Sequence, residues 1–379
     1  MTSFEFATAG RILFGSGRAK DLSSIVASLG SRVFLCTGSR PEAYAGLLAE
    51  PAASFSVSGE PTVELAQTAT AAARGAGADV VVAIGGGSVL DLGKTVAMLL
   101  ANGGDPLDYL EVVGRGQPIR EPATPYVAVP TTAGTGAEVT ANAVLGAPDQ
   151  RLKASLRSPL MLPRVAVVDP LLTLACPPAV TASSGLDALT QCLEPYVSIR
   201  ANPITDSFAR EGLRRAASGL RPAYDDGGDL HAREDMALCS VLGGLALANA
   251  KLGAVHGFAG VLGGTIAAPH GVICAALLVP VVEANVEALR RREPGIPALD
   301  RYREAARLLT GRAEATMEEG IEWLSATVDR LAVPRLGALG LSASDADDVV
   351  AKAARASSMQ GNPIPLSEDE LHRVLAAAL

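Results

Sequence analysis

Apolar residues fall along this chain in two rhythms. Up to about residue 170, apolar runs of strand length alternate with segments of helical spacing. Residues 11–15, 32–38, 79–84, 126–130 and 165–170 predict strands, and residues 19–29 and 62–75 predict helices. That alternation is the pattern of βαβ units and a mostly parallel sheet. From Pro178 to Leu379 strand signals stop and Ala/Leu-rich helical periodicities take over, predicting an all-helical second domain. The boundary is expected between Val168 and Pro178, giving an α/β domain of residues 1–174 and a helical domain of residues 175–379. Residues 225–229 read as a solvated loop between helices, and no repeats or low-complexity linkers occur.

Residues 252–282 carry no charged side chain and are long enough to cross a bilayer. His256, His270, Pro269 and several glycines interrupt them and aromatic belts are missing, so the expectation is a buried helical core broken near Pro269, with no membrane partner. The chain has 379 residues, 49% of them hydrophobic, which argues against disorder. Net charge is −8 with no basic block, which argues against a nucleic-acid partner. Cys36, Cys176, Cys192, Cys239 and Cys274 show no C-x-x-C spacing. They read as buried, reduced thiols of a cytoplasmic protein, and they argue against a thiolate zinc site. Residues 1–17 lack a basic segment followed by an apolar core, so no secretory signal is expected.

Three turns stand where predicted strands end, which is where ligands sit on parallel sheets. In the first, the run Val80-Val81-Val82-Ala83-Ile84 stops at Gly85-Gly86-Gly87-Ser88 and a helical pattern begins. Glycines there let backbone approach a diphosphate, and the helix start offers free N–H groups. The spacing is not G-x-G-x-x-G, and the bland alternative is a tight turn without a ligand. The second turn, residues 130–138, has small residues and hydroxyls suited to a ribose or diphosphate; a self-capping loop is its alternative. The third is Thr37-Gly38-Ser39-Arg40-Pro41. Its lack of an acid and its Ser–Arg pair point to NADP(H) over NAD(H), since an acid bonds the ribose 2′-OH and an Arg accommodates a 2′-phosphate.

In the helical half, Asp187 and Gln191 are four apart and share a helix face. His256 and His270 lie in the uncharged stretch and must be hydrogen-bonded or metal-bound, whereas His231 and His372 sit among charges and read as exposed. Asp187, Gln191, His256 and His270 form a candidate divalent-metal set with one weak neutral donor. From spacing alone, satisfied core histidines are the favoured alternative.

Taken in order, RILFGSG, GGGSVLDLGK, PTTAGTGAEVT, VDPLLT, GLDALTQCLEPYVS, GAVHGFAGVLGG and PHGVICAALLVP span almost the whole chain. Together they resemble the iron-containing (group III) alcohol dehydrogenases, a superfamily that includes maleylacetate reductases and, more distantly, dehydroquinate synthases. The resemblance implies a parallel α/β nicotinamide-dinucleotide domain followed by an all-helical metal and substrate domain, with the active site in the cleft between them. It places Gly85, Gly86, Gly87 and Ser88 at the diphosphate with Asp91 just behind. It places Thr131, Thr132 and Thr135 in the second nucleotide loop and Lys153 near the nicotinamide ribose. Asp187, His256 and His270 match three of four metal ligands and are the expected catalytic residues. Gln191 stands where the fourth, commonly His, is expected, and Gly260 stands where a pocket His is common. The turn at Gly38 and Ser39 often carries an acid in the family, which supports NADP(H).

The expectation is therefore an NAD(P)-dependent oxidoreductase acting on a small carbonyl or alcohol substrate, with Fe or Zn as the candidate metal. A homodimer is implied by the resemblance. The alternatives are a metal-free reductase like the maleylacetate reductases, a cyclase that recycles its cofactor, and a cofactor-binding protein with an eroded catalytic site.

Overall fold

Among the described residues eight strands form in the α/β part: β1 (Ile12–Phe14), β2 (Val33–Thr37), β3 (Ala53–Ser56), β4 (Val80–Gly85), β5 (Tyr126–Pro130), β6 (Asn142–Ala147), β7 (Leu152–Arg157) and β8 (Val165–Val168). The structure, a computed structural model, describes residues 3–147 and 152–379. Six strands make one parallel sheet in the order β1-β8-β5-β4-β2-β3, and β6 and β7 pair antiparallel.

β4 and β5 are central and completely buried, which explains their unbroken apolar runs. Alternate residues feed two layers. Val81, Ala83, Tyr126 and Ala128 pack with side chains of α2 (Val63–Gly75) and α3 (Gly87–Asn102). Val80, Val82, Ile84, Val127 and Val129 pack with Leu22, Ile25 and Val26 of α1 (Leu22–Ala27). Burying a Val or Ile side chain contributes about 1.5–3 kcal/mol, so these two layers fix the sheet that presents the turns. A short α4 (Pro106–Tyr109) follows α3. The helix expected over 19–29 is shorter, because Asp169 Oδ1 and Oδ2 accept from Gly17 N (3.0 Å) and Ala19 N (2.8 Å) and set a 3₁₀ turn at Arg18–Asp21 first.

The helical part comprises α5 (Pro178–Val197), α6 (Pro203–Asp225), α7 (Leu230–Ala250), α8 (Ala254–Thr265), α9 (His270–Arg292), α10 (Pro297–Thr310), α11 (Met317–Arg330), α12 (Ala346–Ala353) and α13 (Glu368–Ala378). α5 is buried on all sides from Gly185 to Val197, with Asp187, Gln191 and Glu194 as a polar stripe on it. The apolar stretch resolves into α8 and α9, broken before Pro269, which caps α9. By length and composition α9 is able to cross a membrane, but 61% of its apolar window is buried in protein.

By internal packing the chain divides into a unit of Ala7–Thr132 and Gly136–Ala175 and a unit of Met1–Phe6, Ala133–Thr135 and Cys176–Leu379.

Candidate active site

In the α/β unit, the glycine turn joins β4 to α3. Gly85 is required by packing: a Cβ there would lie 2.5 Å from a methyl of Val89. Gly86 is the N-cap of α3 and no side chain caps the helix; Val89 N and Leu90 N turn back to Gly86 O, and the N–H groups of Gly87 and Ser88 ahead of them are the ones suited to an anion. Gly86, Gly87 and Ser88 are only half-buried, and a Cβ at Gly86 would meet the side chain of Thr132 at 3.4 Å. The neighbouring strand ends lie alongside, with Thr37 opposite Ile84 and Thr131 N donating to Gly85 O at 2.9 Å. Gly38, Ser39 and Arg40 follow β2 directly, Ser39 and Arg40 being exposed. Thr131 and Thr132 are half-buried at the end of β5. Thr135 is exposed and groups with the helical unit.

Three polar residues of this region hold the fold. Asp91 Oδ2 accepts from Val144 N of β6 (3.0 Å). Lys153 is ion-paired with Glu60. Lys94, the last residue of GGGSVLDLGK, points away from the turn and donates to Ala137 O, Thr140 O and Asn142 O at 2.7–2.8 Å. Burial pushes its pKa down to about 8, against the attraction of Asp91 and Glu138.

In the helical unit, Asp187 of α5, His256 of α8, and His270 and Cys274 of α9 converge. One ligand atom from each lies within 4.8 Å of the others. Gly271 makes this possible: a Cβ there would lie 2.5 Å from Ser183 O, so only glycine lets the start of α9 approach α5 this closely. His256 is held by Glu194, whose Oε2 accepts from Nδ1 at 2.7 Å while Oε1 accepts from Val255 N at 2.7 Å. This partner leaves the lone pair of His256 on Nε2. Gln191 Nε2 donates to Asp187 Oδ2 (2.8 Å) and leaves Oδ1 uncovered.

Asp187 Oδ1, Gln191 Oε1 and His256 Nε2 are buried without hydrogen-bond partners. Asp187 Oδ1 and His256 Nε2 are 3.3 Å apart, an ion-pair distance without hydrogen-bond geometry. Leaving such an atom unpaired costs about 1–3 kcal/mol, and a cation removes several of these penalties at once. The residues present therefore fit a divalent metal ion. Burial works against the Asp187 carboxylate, but the imidazoles outweigh it and hold its pKa low. Cys274 raises the pKa of His270 against burial, with help from Asp187.

Glu194 and Cys274 were not among the expected site residues. The signals were present: Glu194 lies three residues after Gln191 on the same stripe, and Cys274 lies four after His270 on α9. Gly260 is exposed, with no atom within 4 Å of where a Cβ would stand. Among the other histidines, His231 is exposed and His372 is half-buried beside Asp347.

A family model described as iron-containing alcohol dehydrogenase matches residues 9–170, and one for the C-terminal part of that family matches residues 181–379. The chain belongs to the iron-containing alcohol dehydrogenase family. Alcohol dehydrogenase 4 of Saccharomyces cerevisiae (strain YJM789) is 37% identical over 301 residues, covering 79% of this chain and 76% of that protein. A solved 1,3-propanediol oxidoreductase superposes with a TM-score of 0.90 at 30% identity, covering 100% of each chain. Sulfoacetaldehyde reductase from Bifidobacterium kashiwanohense, solved in complex with NAD+, superposes with a TM-score of 0.86 at 27% identity, covering 100% of this chain and 99% of that one. As a member of the iron-containing alcohol dehydrogenase family, the chain is an alcohol oxidoreductase of a nicotinamide-dependent class.

Proposed function

We propose that this alcohol oxidoreductase prefers NADP(H), and that its chemistry is centred on a divalent ion held by Asp187, His256 and His270, with Gln191 as a weak neutral donor. The observation that carries this reading is the set of buried, unpartnered atoms Asp187 Oδ1, Gln191 Oε1 and His256 Nε2 beside His270. Bound, the cation supplies Lewis acidity to a carbonyl oxygen and the nicotinamide supplies the hydride. The chain's part is positional. Glu194 fixes the tautomer and ring orientation of His256, and Gln191 turns the Asp187 carboxylate. The free N–H groups opening α3, with Gly85, Gly86, Gly87 and Ser88, receive the diphosphate. Thr131, Thr132 and Thr135 bond the nucleotide, Asp91 and Lys153 support the same region, and Arg40 beside Gly38 and Ser39 meets the 2′-phosphate.

Gly260 shares a helix face with His256, and its open surroundings suit an alcohol larger than two carbons. β1 is an edge strand with Phe14 exposed, which supports a homodimer formed by strand pairing. Cys36, Cys192, Cys239 and Cys274 are buried free thiols, which suits the cytoplasm, while Cys176, expected to be buried as well, is only half-buried.

The test is elemental analysis of the purified protein with NADPH and NADH oxidation across aldehydes, ketones and keto acids. Turnover with stoichiometric metal is expected. Tight NADPH binding with no turnover on any carbonyl would make the protein a binding module. Arg40→Ala should raise KM for NADPH by about tenfold, the size of a charge-assisted hydrogen bond, and leave KM for NADH unchanged. Equal effects on both cofactors would remove Arg40 from the 2′-phosphate.

A further inference from the structure

We propose that Cys274 is itself a metal ligand, so that the cluster is an Asp–His–His–Cys site. This rests on the reading that the cluster binds a divalent ion, and it revises the expectation that no thiolate takes part. His270 and Cys274 are four residues apart at the start of α9 and present their donor atoms together. Cys274 Sγ is buried 3.5 Å from His270 Nε2, and Asp187 Oδ1 is 3.3 Å from His256 Nε2.

These separations have a common meaning. With zinc bonds of about 2.3 Å to sulfur and about 2.0–2.1 Å to nitrogen or oxygen, the edges of a tetrahedron are about 3.5 Å between S and N and about 3.3 Å between N and O. A weak S–H···N hydrogen bond also accounts for the first distance. It leaves Asp187 Oδ1 and His256 Nε2 buried and unpaired, whereas four donors around one ion satisfy both. Gln191, its Nε2 engaged with Asp187 Oδ2, offers the ion only a neutral oxygen, Oε1, so the second anionic donor of the set is Cys274. The other thiols lie elsewhere: Cys192 and Cys239 form their own pair at 3.9 Å, and Cys36 is on β2.

On binding, the Cys274 thiol gives its proton to solvent and its sulfur forms the bond to the metal. A thiolate beside two imidazoles selects borderline ions such as Zn²⁺ or Co²⁺ over the hard Mg²⁺ and Ca²⁺.

The test uses Co²⁺ alone, titrated into the metal-stripped full-length protein and into Cys274→Ser and Cys176→Ser. The wild type and Cys176→Ser should bind a single cobalt with a near-ultraviolet thiolate-to-metal charge-transfer band, and Cys274→Ser should lose that band. A stoichiometric cobalt complex without the band, or a band that survives in Cys274→Ser, overturns the thiolate assignment and leaves the metal reading standing. Failure of the wild type to bind cobalt at all overturns both. X-ray absorption of the zinc-loaded wild type needs no variant: a sulfur at about 2.3 Å is expected, and a shell of only nitrogen and oxygen refutes the proposal.

Discussion

The glycine turn after β4 and the acid–imidazole cluster of the helical unit illustrate opposite ways to build a site. At the turn the useful groups are backbone N–H bonds, and side chains matter by being absent. In the cluster the useful groups are side chains from three helices, and Glu194 and Gln191 hold them in place. A glycine enables each. Gly85 makes room for the side chain of Val89, and Gly271 makes room for the backbone carbonyl of Ser183. A backbone-built site depends on local geometry along a few residues, whereas a side-chain-built site depends on how distant elements pack.

Removing a donor tests this separation most severely. Asp187→Ala and His270→Ala should each lower kcat by at least about 10²–10³-fold, the scale of a lost electrostatic stabiliser. Calorimetric affinity for NADPH should hardly change, and near-normal turnover in both variants would take the cluster out of the chemistry. Glu194→Gln comes next. It keeps the shape but not the anionic acceptor of His256 Nδ1, and metal affinity measured against a competing chelator should fall about 10–100-fold. Unchanged affinity would reduce Glu194 to packing.

The smallest effects come from the two glycines. Gly271→Ala and Gly85→Ala each overpack a tight approach and should destabilise by about 1–3 kcal/mol in denaturant unfolding. Gly271→Ala belongs at the upper end, because a carbonyl cannot rotate away as a side chain can. Beyond stability, Gly271→Ala should weaken metal binding and spare the cofactor, while Gly85→Ala should do the reverse. Loss of both functions in either variant would break the comparison.

The sequence revealed these regions unequally, for physical reasons. The β4 run and its glycine stop were legible because a doubly buried parallel strand is apolar at every position. The break at Pro269 was legible because proline suits a helix start. β3 was missed because Ala53–Ser56 is short, alternates half-buried with exposed residues and carries a single large apolar side chain, Phe55, and β6 and β7 were missed because polar residues and a glycine interrupt their apolar positions. Asp187, His256 and His270 were legible as types, since acids and imidazoles in apolar stretches require partners. Cys274 was not, because a thiol is apolar enough to be ordinary in a core. Only the tertiary approach of α9 to α5 distinguishes it from Cys36.

The short stretch Ala133–Thr135 sits inside the α/β portion of the sequence yet groups with the helices, where Gly134 closes against Ser184. The two units are thus not consecutive in sequence. A gene cut near residue 175 would leave the helical fragment without that loop and without Met1–Phe6, so only the α/β fragment would inherit a complete lobe, and exchanging lobes between related enzymes would require moving these small pieces as well.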